Sequence, residues 1–372
     1  MAHLVIGIPT LNEAATIART VRVVDEGLIS IGAEATILNC DSGSRDGTAD
    51  LFSATSTRSK KVCIAAPGPV QGKGANVFAI ARHARELNAD ALVLIDADVQ
   101  TLSPSWVSLL ARPIIDGVAD YVSPSYLASQ GGPLRHLISR PIVFGLFGAD
   151  IPQPTGGEVA LSRSLLEHVC SLDPEGSDFG YGIDILLACE VAARRQMFTV
   201  VELGQKVHRA RRWSTIDQIA VQVVESAMRA FIRAPVNRSA SPPLLPVERP
   251  IEVELAPPLD PTIMDVHTAS VRWLRERETF TDMYRELLPY NILMAVLGDR
   301  PDGLAGRHWL QILRQFATAA HSGSYKPAEL SRALMPLFLG RMATFGEELV
   351  NPSPALAQQM HHDLDWCWRT AA

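Results

Sequence analysis

The chain has 372 residues, 47% of them hydrophobic, which is enough for two domains or for one large domain with an appendage. Its formal net charge is −6 and it has no basic block, so its charge argues against nucleic acid as a partner. The five cysteines are widely spread and show no Cys-x-x-Cys spacing. Reduced, buried thiols and a cytoplasmic location are therefore expected.

Targeting and membrane signals are weak in this sequence. Residues 4–8 already form a strand-like apolar run, without the charged n-region and long h-region of a signal peptide. The apolar residues 141–151 are too few to form a membrane-spanning helix, which needs about 20. The sequence predicts a soluble protein with no integral membrane segment.

Strand-like and helix-like segments alternate through the first part of the chain, a pattern typical of βαβ units and a mostly parallel sheet. We therefore predict a Rossmann-like α/β fold. The predicted strands are residues 4–8, 35–40, 61–65, 91–95, 120–125 and 157–161. The predicted helices are residues 13–25, a segment opening at 44–48, and residues 74–88, 184–196 and 215–232.

The composition changes after residue 232. Prolines are dense up to Pro261 and oppose both helices and strand pairing, so residues 233–262 are predicted to be a Pro-rich linker. We expect it to join a domain of residues 1–232 to an all-helical domain of residues 263–372. Helical patterns cover residues 266–288, 307–320, 327–339 and 354–368. Their apolar stripes are expected to form a core, with a homodimer interface and then an active-site lid as the next interpretations.

Asp96-Ala97-Asp98 directly follows the apolar run 91–95. Residues two apart on a strand point to the same side, so both carboxylates should converge at the carboxyl end of the strand, where open α/β sheets bind ligands. Two such donors suit Mg²⁺ or Mn²⁺, and the ion would suit a diphosphate. A loop or helix-capping pair is the plainer interpretation.

Polar residues also follow the first predicted strand, in Pro9-Thr10-Leu11-Asn12-Glu13. Asn12 could cap the next helix, with Glu13 favoured near the positive end of its dipole. The functional interpretation instead places Glu13 beside a ribose or base at the tip of the loop.

The second predicted strand runs into Cys40-Asp41-Ser42-Gly43-Ser44-Arg45-Asp46-Gly47-Thr48. The two glycines should form the turn, and Ser44 or Asp46 should cap the following helix. Asp41 has no such local role in this pattern. Its carboxylate is therefore a candidate acceptor for a base imide or a ribose hydroxyl.

Two basic segments complete the set. Gln71-Gly72-Lys73-Gly74-Ala75-Asn76 precedes a helix and could bind an anion, although it is not a Walker P-loop and could be a plain turn with a solvated lysine. His208, in Lys206-Val207-His208-Arg209, is by itself more typical of a packed or surface histidine. If the fold returns it to Asp98, its imidazole would complete a carboxylate-bound metal site.

The ordered motifs Pro-x-Leu-Asn-Glu, Asp-Ser-Gly-Ser-x-Asp-Gly-Thr, Gly-Lys-Gly and Asp-x-Asp resemble those of nucleotide-sugar-dependent glycosyltransferases of the GT-A fold. Three later segments narrow the resemblance to the retaining glucosyl- and mannosyl-3-phosphoglycerate synthases and the related mannosylglycerate synthases. These segments are Gln153-Pro154-Thr155-Gly156-Gly157-Glu158, Gly180-Tyr181-Gly182-Ile183-Asp184 and Lys206-Val207-His208-Arg209. The resemblance covers roughly residues 3–232.

This resemblance implies metal-dependent transfer of glucose or mannose from a UDP- or GDP-sugar to a small hydroxy acid such as glycerate or 3-phosphoglycerate. Asp98 and His208 would bind Mg²⁺ or Mn²⁺. The nucleotide would contact Pro9, Leu11, Glu13, Asp41, Ser42, Lys73, Asp96 and Ala97. Asp98, Asp184 and Thr155 would be catalytic, and Gly156, Gly157, Glu158, Arg135, Tyr181 and Arg209 would bind the sugar or acceptor.

The chain departs from the family pattern mainly in the acceptor segment. Pro133 stands where an Arg is expected, Arg135 where a Thr is expected, and Ala210 where an Asn is expected. Thr155 replaces a usual Leu. The donor residues thus match and the acceptor residues do not. Two alternatives are an inverting transferase that uses a polyprenyl-phosphate acceptor and a catalytically silent sugar-nucleotide-binding scaffold.

Overall fold

A computed structural model describes residues 2–68, 72–126, 132–208, 216–234, 266–299, 304 and 306–350. Within these ranges, the centre of the molecule is a seven-stranded sheet in the order β3-β2-β1-β4-β6-β5-β7. The strands are β1 (His3–Thr10), β2 (Glu34–Asp41), β3 (Lys60–Ala65), β4 (Ala91–Leu94), β5 (Tyr121–Ser125), β6 (Val159–Ser162) and β7 (Phe198–Glu202). The α/β fold with a mostly parallel sheet is confirmed, because only β6 runs antiparallel to its neighbours.

Helices cover the sheet and continue beyond it. The first half contains α1 (Ile17–Ile31), α2 (Thr48–Ala54), α3 (Lys73–Glu86), α4 (Pro104–Ile115), a π-helix (Leu134–Ser139) continuous with α5 (Arg140–Phe147), α6 (Arg163–Ser171), α7 (Gly182–Ala193) and α8 (Ile216–Arg233). The later helices are α9 (Val266–Glu276), α10 (Thr281–Leu287), α11 (Tyr290–Leu297), α12 (Gly306–Ser322) and α13 (Pro327–Val350). In the described residues, no helix is both long enough and apolar enough to cross a membrane.

Most of the strands end at the same edge of the sheet, so the loops that follow them begin there. Strand order reverses between β1 and β4, which is the switch point where open α/β sheets bind ligands. The strands β1, β2, β4, β5 and β7 all end at this edge, and the antiparallel β6 begins there. We call it the carboxyl edge.

Close packing of α3 on the sheet depends on one glycine of β1. A Cβ atom at Gly7 would lie 2.4 Å from Cγ2 of Ile80, so a larger residue would push the helix outward. The apolar face of α3 then joins a buried cluster with α6, α7 and α8, while α1 and α4 cover the opposite face. This packing fixes the N-terminus of α3 at the carboxyl edge.

Of the later helices, α12 and α13 pack on α8, and the later helices share the larger of the two buried clusters. Trp273, Trp309 and Phe338 are buried, as the core interpretation of their apolar stripes predicted. Trp309 Nε1 donates a hydrogen bond to the carbonyl of Leu137 in the π-helix, and Arg272 forms an ion pair with Asp217 of α8. The predicted domain boundaries stay a prediction, since most of the Pro-rich segment, like the predicted helix 354–368, lies outside the described residues.

Candidate active site

The carboxyl edge brings together side chains that are far apart in sequence. Lys73, the first residue of α3, lies with its Nζ 2.8 Å from Asp96 Oδ1 and 2.9 Å from Asp184 Oδ2. Asp96 follows β4, and Asp184 lies in the first turn of α7. Three residues singled out in the sequence therefore form one ion-pair cluster.

Glycines hold the two helices of this cluster together. The backbone N–H of Gly74 donates to the carbonyl of Gly180, at 3.0 Å. A Cβ atom at Gly74 would lie only 2.0 Å from the carbonyl oxygen of Asp178. The start of α3 is thus pressed against the turn that leads into α7, and this contact brings Lys73 to Asp184.

Burial and charge shift the acid–base properties of this cluster. Burial alone would lower the pKa of Lys73, but Asp184 and Asp96 outweigh it and raise the pKa well above its usual value. Burial raises the pKa of Asp184 to about 6, although Lys73 acts in the opposite direction. Lys73 therefore stays cationic, while Asp184 changes its charge near pH 6.

A second lysine, which was not among the predicted site residues, approaches Asp96 from the other side. Lys206 Nζ lies 3.6 Å from Asp96 Oδ2 and 2.7 Å from Glu158 Oε2. The hydroxyl of Tyr126 also donates to Glu158 Oε2. Lys206 belongs to the motif Lys206-Val207-His208-Arg209, and Tyr126 directly follows β5. The sequence does not indicate that the two side chains meet.

Glu158 was predicted to bind substrate, and the structure corrects this. Its side chain is 0% exposed, so it lies beneath the site and cannot touch a ligand directly. The preceding Gly157 allows this arrangement, because a Cβ atom there would lie 1.9 Å from Asp96 Oδ2. Glu158 therefore supports the site from below.

The predicted metal ligands, Asp98 and His208, lie on adjoining segments. The N–H of Gln100 donates to the carbonyl of Val207 at 2.7 Å, and the N–H of Val207 donates to Thr101 Oγ1 at 3.0 Å. His208 is exposed and Asp98 is half-buried. Among the described residues, no three or more His, Cys, Asp or Glu side chains cluster closely enough to hold a metal ion.

The acidic pair follows the strand, as predicted. The strand β4 ends at Leu94, so Asp96 and Asp98 belong to the following loop. Ala97 between them is buried, and its carbonyl accepts a hydrogen bond from Thr20. This contact anchors the loop, and the nucleotide contact of Ala97 stays a prediction.

Asp41 has a local role, contrary to the prediction. Its carboxylate accepts hydrogen bonds from the N–H groups of Gly43 and Ser44, from Ser44 Oγ, and from Thr10 Oγ1 at 2.9 Å. Ser42, also predicted to contact the nucleotide, is buried and donates to Asn76 Oδ1 at 2.9 Å. Both side chains therefore shape the turn after β2.

The loops after β1 and β2 are joined to each other. Asn12 does not cap α1, because its φ is 57° and its Oδ1 accepts a hydrogen bond from the N–H of Arg45. The N-cap of α2 is Gly47, so neither Ser44 nor Asp46 caps it as predicted, although Asp46 accepts a hydrogen bond from the N–H of Thr48. The helix α1 begins at Ile17, four residues later than predicted, because the loop uses residues 11–16 for these contacts. Of the other predicted nucleotide residues, Pro9 and Glu13 are half-buried and Leu11 is exposed.

The predicted sugar and acceptor residues that the structure describes come from three segments, which are the loop before β6, the turn before α7 and the π-helix. Thr155 is half-buried and Gly156 is buried. A Cβ atom at Gly156 would lie only 2.5 Å from Pro124 Cγ, so there is no room for a side chain there. Tyr181 is 38% exposed, and its N–H donates to Gln222 of α8. Arg135, in the π-helix, donates through Nε to the carbonyl of Pro152 at 2.7 Å. Arg209 lies outside the described residues.

Residues 5–160 match the sequence model of the family described as glycosyl transferase family 2. Together with the seven-stranded sheet and the acidic site at its carboxyl edge, this match defines the chain as a glycosyltransferase of the GT-A fold. The predicted class of enzyme is thereby confirmed.

Solved structures of glucosyl-3-phosphoglycerate synthase from Mycobacterium tuberculosis are similar to this chain. One, a complex with Mn²⁺, UDP-glucose and phosphoglyceric acid, has a TM-score of 0.52 and 27% identity, covering 62% of this chain and 80% of that chain. Another, a complex with Mg²⁺ and UDP, has a TM-score of 0.51 and 27% identity, covering 62% and 79%. No curated protein matches the chain significantly in sequence.

Proposed function

We propose that the chain is a metal-dependent, retaining hexosyltransferase that uses a UDP-sugar, or alternatively a GDP-sugar, as donor. The observation that carries the proposal is the cluster in which Lys73 joins Asp96 to Asp184 at the switch point of the sheet. The similar synthase structures contain UDP or UDP-glucose with Mn²⁺ or Mg²⁺, which supports this choice of donor and cofactor.

Asp98 and His208 fit a divalent cation that is bound together with the donor. One carboxylate and one imidazole leave most of the coordination sphere to diphosphate oxygens and water, as is usual for Mg²⁺. The lack of a larger donor cluster in the described residues agrees with this division. When bound, the cation would act as a Lewis acid that neutralises negative charge on the departing diphosphate.

Lys73 and Asp184 supply the charges around the reacting sugar in this proposal. Lys73 is held by both carboxylates and stays cationic, so it can stabilise a diphosphate without moving. Asp184 is placed to orient the acceptor or to polarise the sugar. The acceptor hydroxyl would attack from the leaving-group side and pass its proton to the leaving phosphate, so that no separate base is required.

The acceptor is proposed to be a small hydroxy acid. Arg135 is 8% exposed, and no carboxylate of a described residue forms an ion pair with it. An anionic group of the acceptor could therefore pair with this guanidinium, in place of the family's Arg, Thr and Asn.

Isothermal titration of UDP and GDP, with and without Mn²⁺, tests the proposal. We expect tight binding of one nucleotide only with the metal, and loss of that metal dependence in Asp98→Ala and in His208→Ala. The matched controls are Asp116→Ala and His267→Ala, which change an exposed residue of the same type and should behave like the wild type. Tight nucleotide binding that does not depend on the metal and is unchanged in Asp98→Ala would disprove the metal–diphosphate assignment. The anomer of the product, read by NMR, tests retention.

A further inference from the structure

The proposed function leaves one part of the site unexplained, a charged group beneath Asp96 that we call the Glu158 node. It consists of Glu158, Tyr126 and Lys206. Both Lys206 and Tyr126 direct their polar groups to the same carboxylate oxygen, Oε2 of Glu158. The other oxygen, Oε1, is buried and has no hydrogen-bond partner among the described residues.

The Glu158 node is costly for the fold. Glu158 is fully buried and Lys206 nearly so, with 13% of its side chain exposed. Replacing a buried ion pair by apolar residues of similar volume is often neutral or stabilising, so stability alone does not explain this pair. What the pair does provide is a fixed position for a long, flexible side chain.

Tyr126 fixes Lys206 in two ways. Its hydroxyl holds the carboxylate of Glu158, and its ring lies 5.3 Å from Lys206 Nζ, which places the ammonium over the aromatic face. The ring is itself held by Trp106, at 6.1 Å between centroids. The ammonium is left pointing at Asp96, across from Lys73.

We propose that Glu158 and Tyr126 are positioning residues, which hold Lys206 against Asp96 so that this carboxylate keeps one orientation between two lysines. The inference rests on the proposed function, because it takes Asp96 to belong to the donor half of the site. Neither Glu158 nor Tyr126 touches substrate. Both act through Lys206.

A double-mutant cycle of Glu158→Gln and Lys206→Met tests the proposal in the full-length protein. We expect Glu158→Gln alone to raise the KM for UDP-glucose about tenfold, but to change it less than about twofold when Lys206→Met is already present. Acceptor KM should change less than about twofold, because Asp96 lies in the donor half. Tyr126→Phe should raise the donor KM by a smaller factor, of about threefold.

Glu190→Gln provides the matched control. Glu190 is also a buried carboxylate, paired with His168 and Arg233 away from the site, so the substitution should destabilise the fold without raising the donor KM. Additive effects of the two substitutions in the cycle would overturn the proposal. So would a Glu158→Gln enzyme that behaves like Glu190→Gln.

Urea unfolding of the same variants separates this inference from the proposed function. If the wild type binds neither UDP-glucose nor GDP-mannose with Mn²⁺, the proposed function fails. The double-mutant cycle is then judged by the free energy of unfolding of the variants. Lys206→Met leaves Glu158 as an uncompensated buried charge, so adding Glu158→Gln should restore part of the lost stability. A double variant that is no more stable than Lys206→Met alone would overturn the positioning role.

Discussion

At the scale of single residues, Asp184 makes the most specific prediction about pH. Burial raises its pKa to about 6, so the folded protein binds this proton more tightly than the unfolded chain does. Its contribution to stability is therefore present at low pH and is lost as the pH rises through about 6. Activity should show the opposite trend, because the proposed role requires the carboxylate that pairs with Lys73.

We expect the rate of sugar transfer to fall as the pH drops below about 6, and Asp184→Asn to lower it about a hundredfold at neutral pH. The asparagine variant should also lose the acidic limb of the pH–rate profile. Asp282→Asn changes a carboxylate with 97% of its side chain exposed and should keep the wild-type profile. An unchanged acidic limb in Asp184→Asn would assign that titration to another group.

Single residues also mark the limits of prediction from sequence. The ion pairs of Lys73 join residues that the motifs had already singled out, so only their contact was new. The local role of Asp41 was missed, because four hydrogen-bond donors from its own loop and from the end of β1 reach its carboxylate, which a pattern of residue types does not reveal. Glu158 and Lys206 are 48 positions apart, and no local pattern links them.

At the scale of elements, long apolar runs were easy to predict and short segments were not. The strands β1 to β4 follow continuous apolar runs and were predicted to within a few residues. The helices α5, α6 and α11 and the strand β7 were missed, because short elements carry too little periodicity to stand out from turns. The longer helix α4 was also missed, and it contains Pro113, a residue that normally argues against a helix interior. The antiparallel direction of β6 depends on pairing between distant segments.

The junction of α3 with the turn before α7 gives a prediction at this scale. In Gly74→Ala the new methyl would meet the carbonyl oxygen of Asp178, which is backbone and cannot turn aside as a flexible side chain would. We expect a loss of about 1–3 kcal/mol in the free energy of unfolding. Transfer activity should fall further than this loss explains, since the shift separates Lys73 from Asp184.

Gly145→Ala is the matched control for that junction. Gly145 is exposed in α5 and has no atom within 4 Å of the added methyl, so alanine should stabilise the helix by about 0.5–1 kcal/mol. Urea unfolding and initial rates of both variants decide the matter. Normal activity in Gly74→Ala would show that α3 and α7 need not be pressed together for the site to form.

At the scale of the whole molecule, the π-helix connects the glycosyltransferase fold to the later helices. Its carbonyl at Leu137 accepts from Trp309 of α12, and the ring of His136 lies 6.0 Å from that of Phe345 in α13. Burial, with help from Arg135 and Arg140, lowers the pKa of His136 to about 4. The imidazole of His136 thus stays neutral where these layers meet, with its Nε2 atom buried.

This histidine should make the whole fold sensitive to acid. The unfolded chain takes up a proton near the ordinary pKa of 6.5, whereas the folded state resists it down to about 4, so the contribution of His136 to stability should rise with pH across this window, opposite in sign to that of Asp184. Between about pH 4.5 and pH 7.5 the contribution of His136 should change by about 2.5 kcal/mol. His136→Gln should remove that part of the pH dependence in urea unfolding, while the exposed His267→Gln should retain it. If both variants keep the wild-type slope, acid weakens the junction of the π-helix with α12 and α13 through a group other than His136.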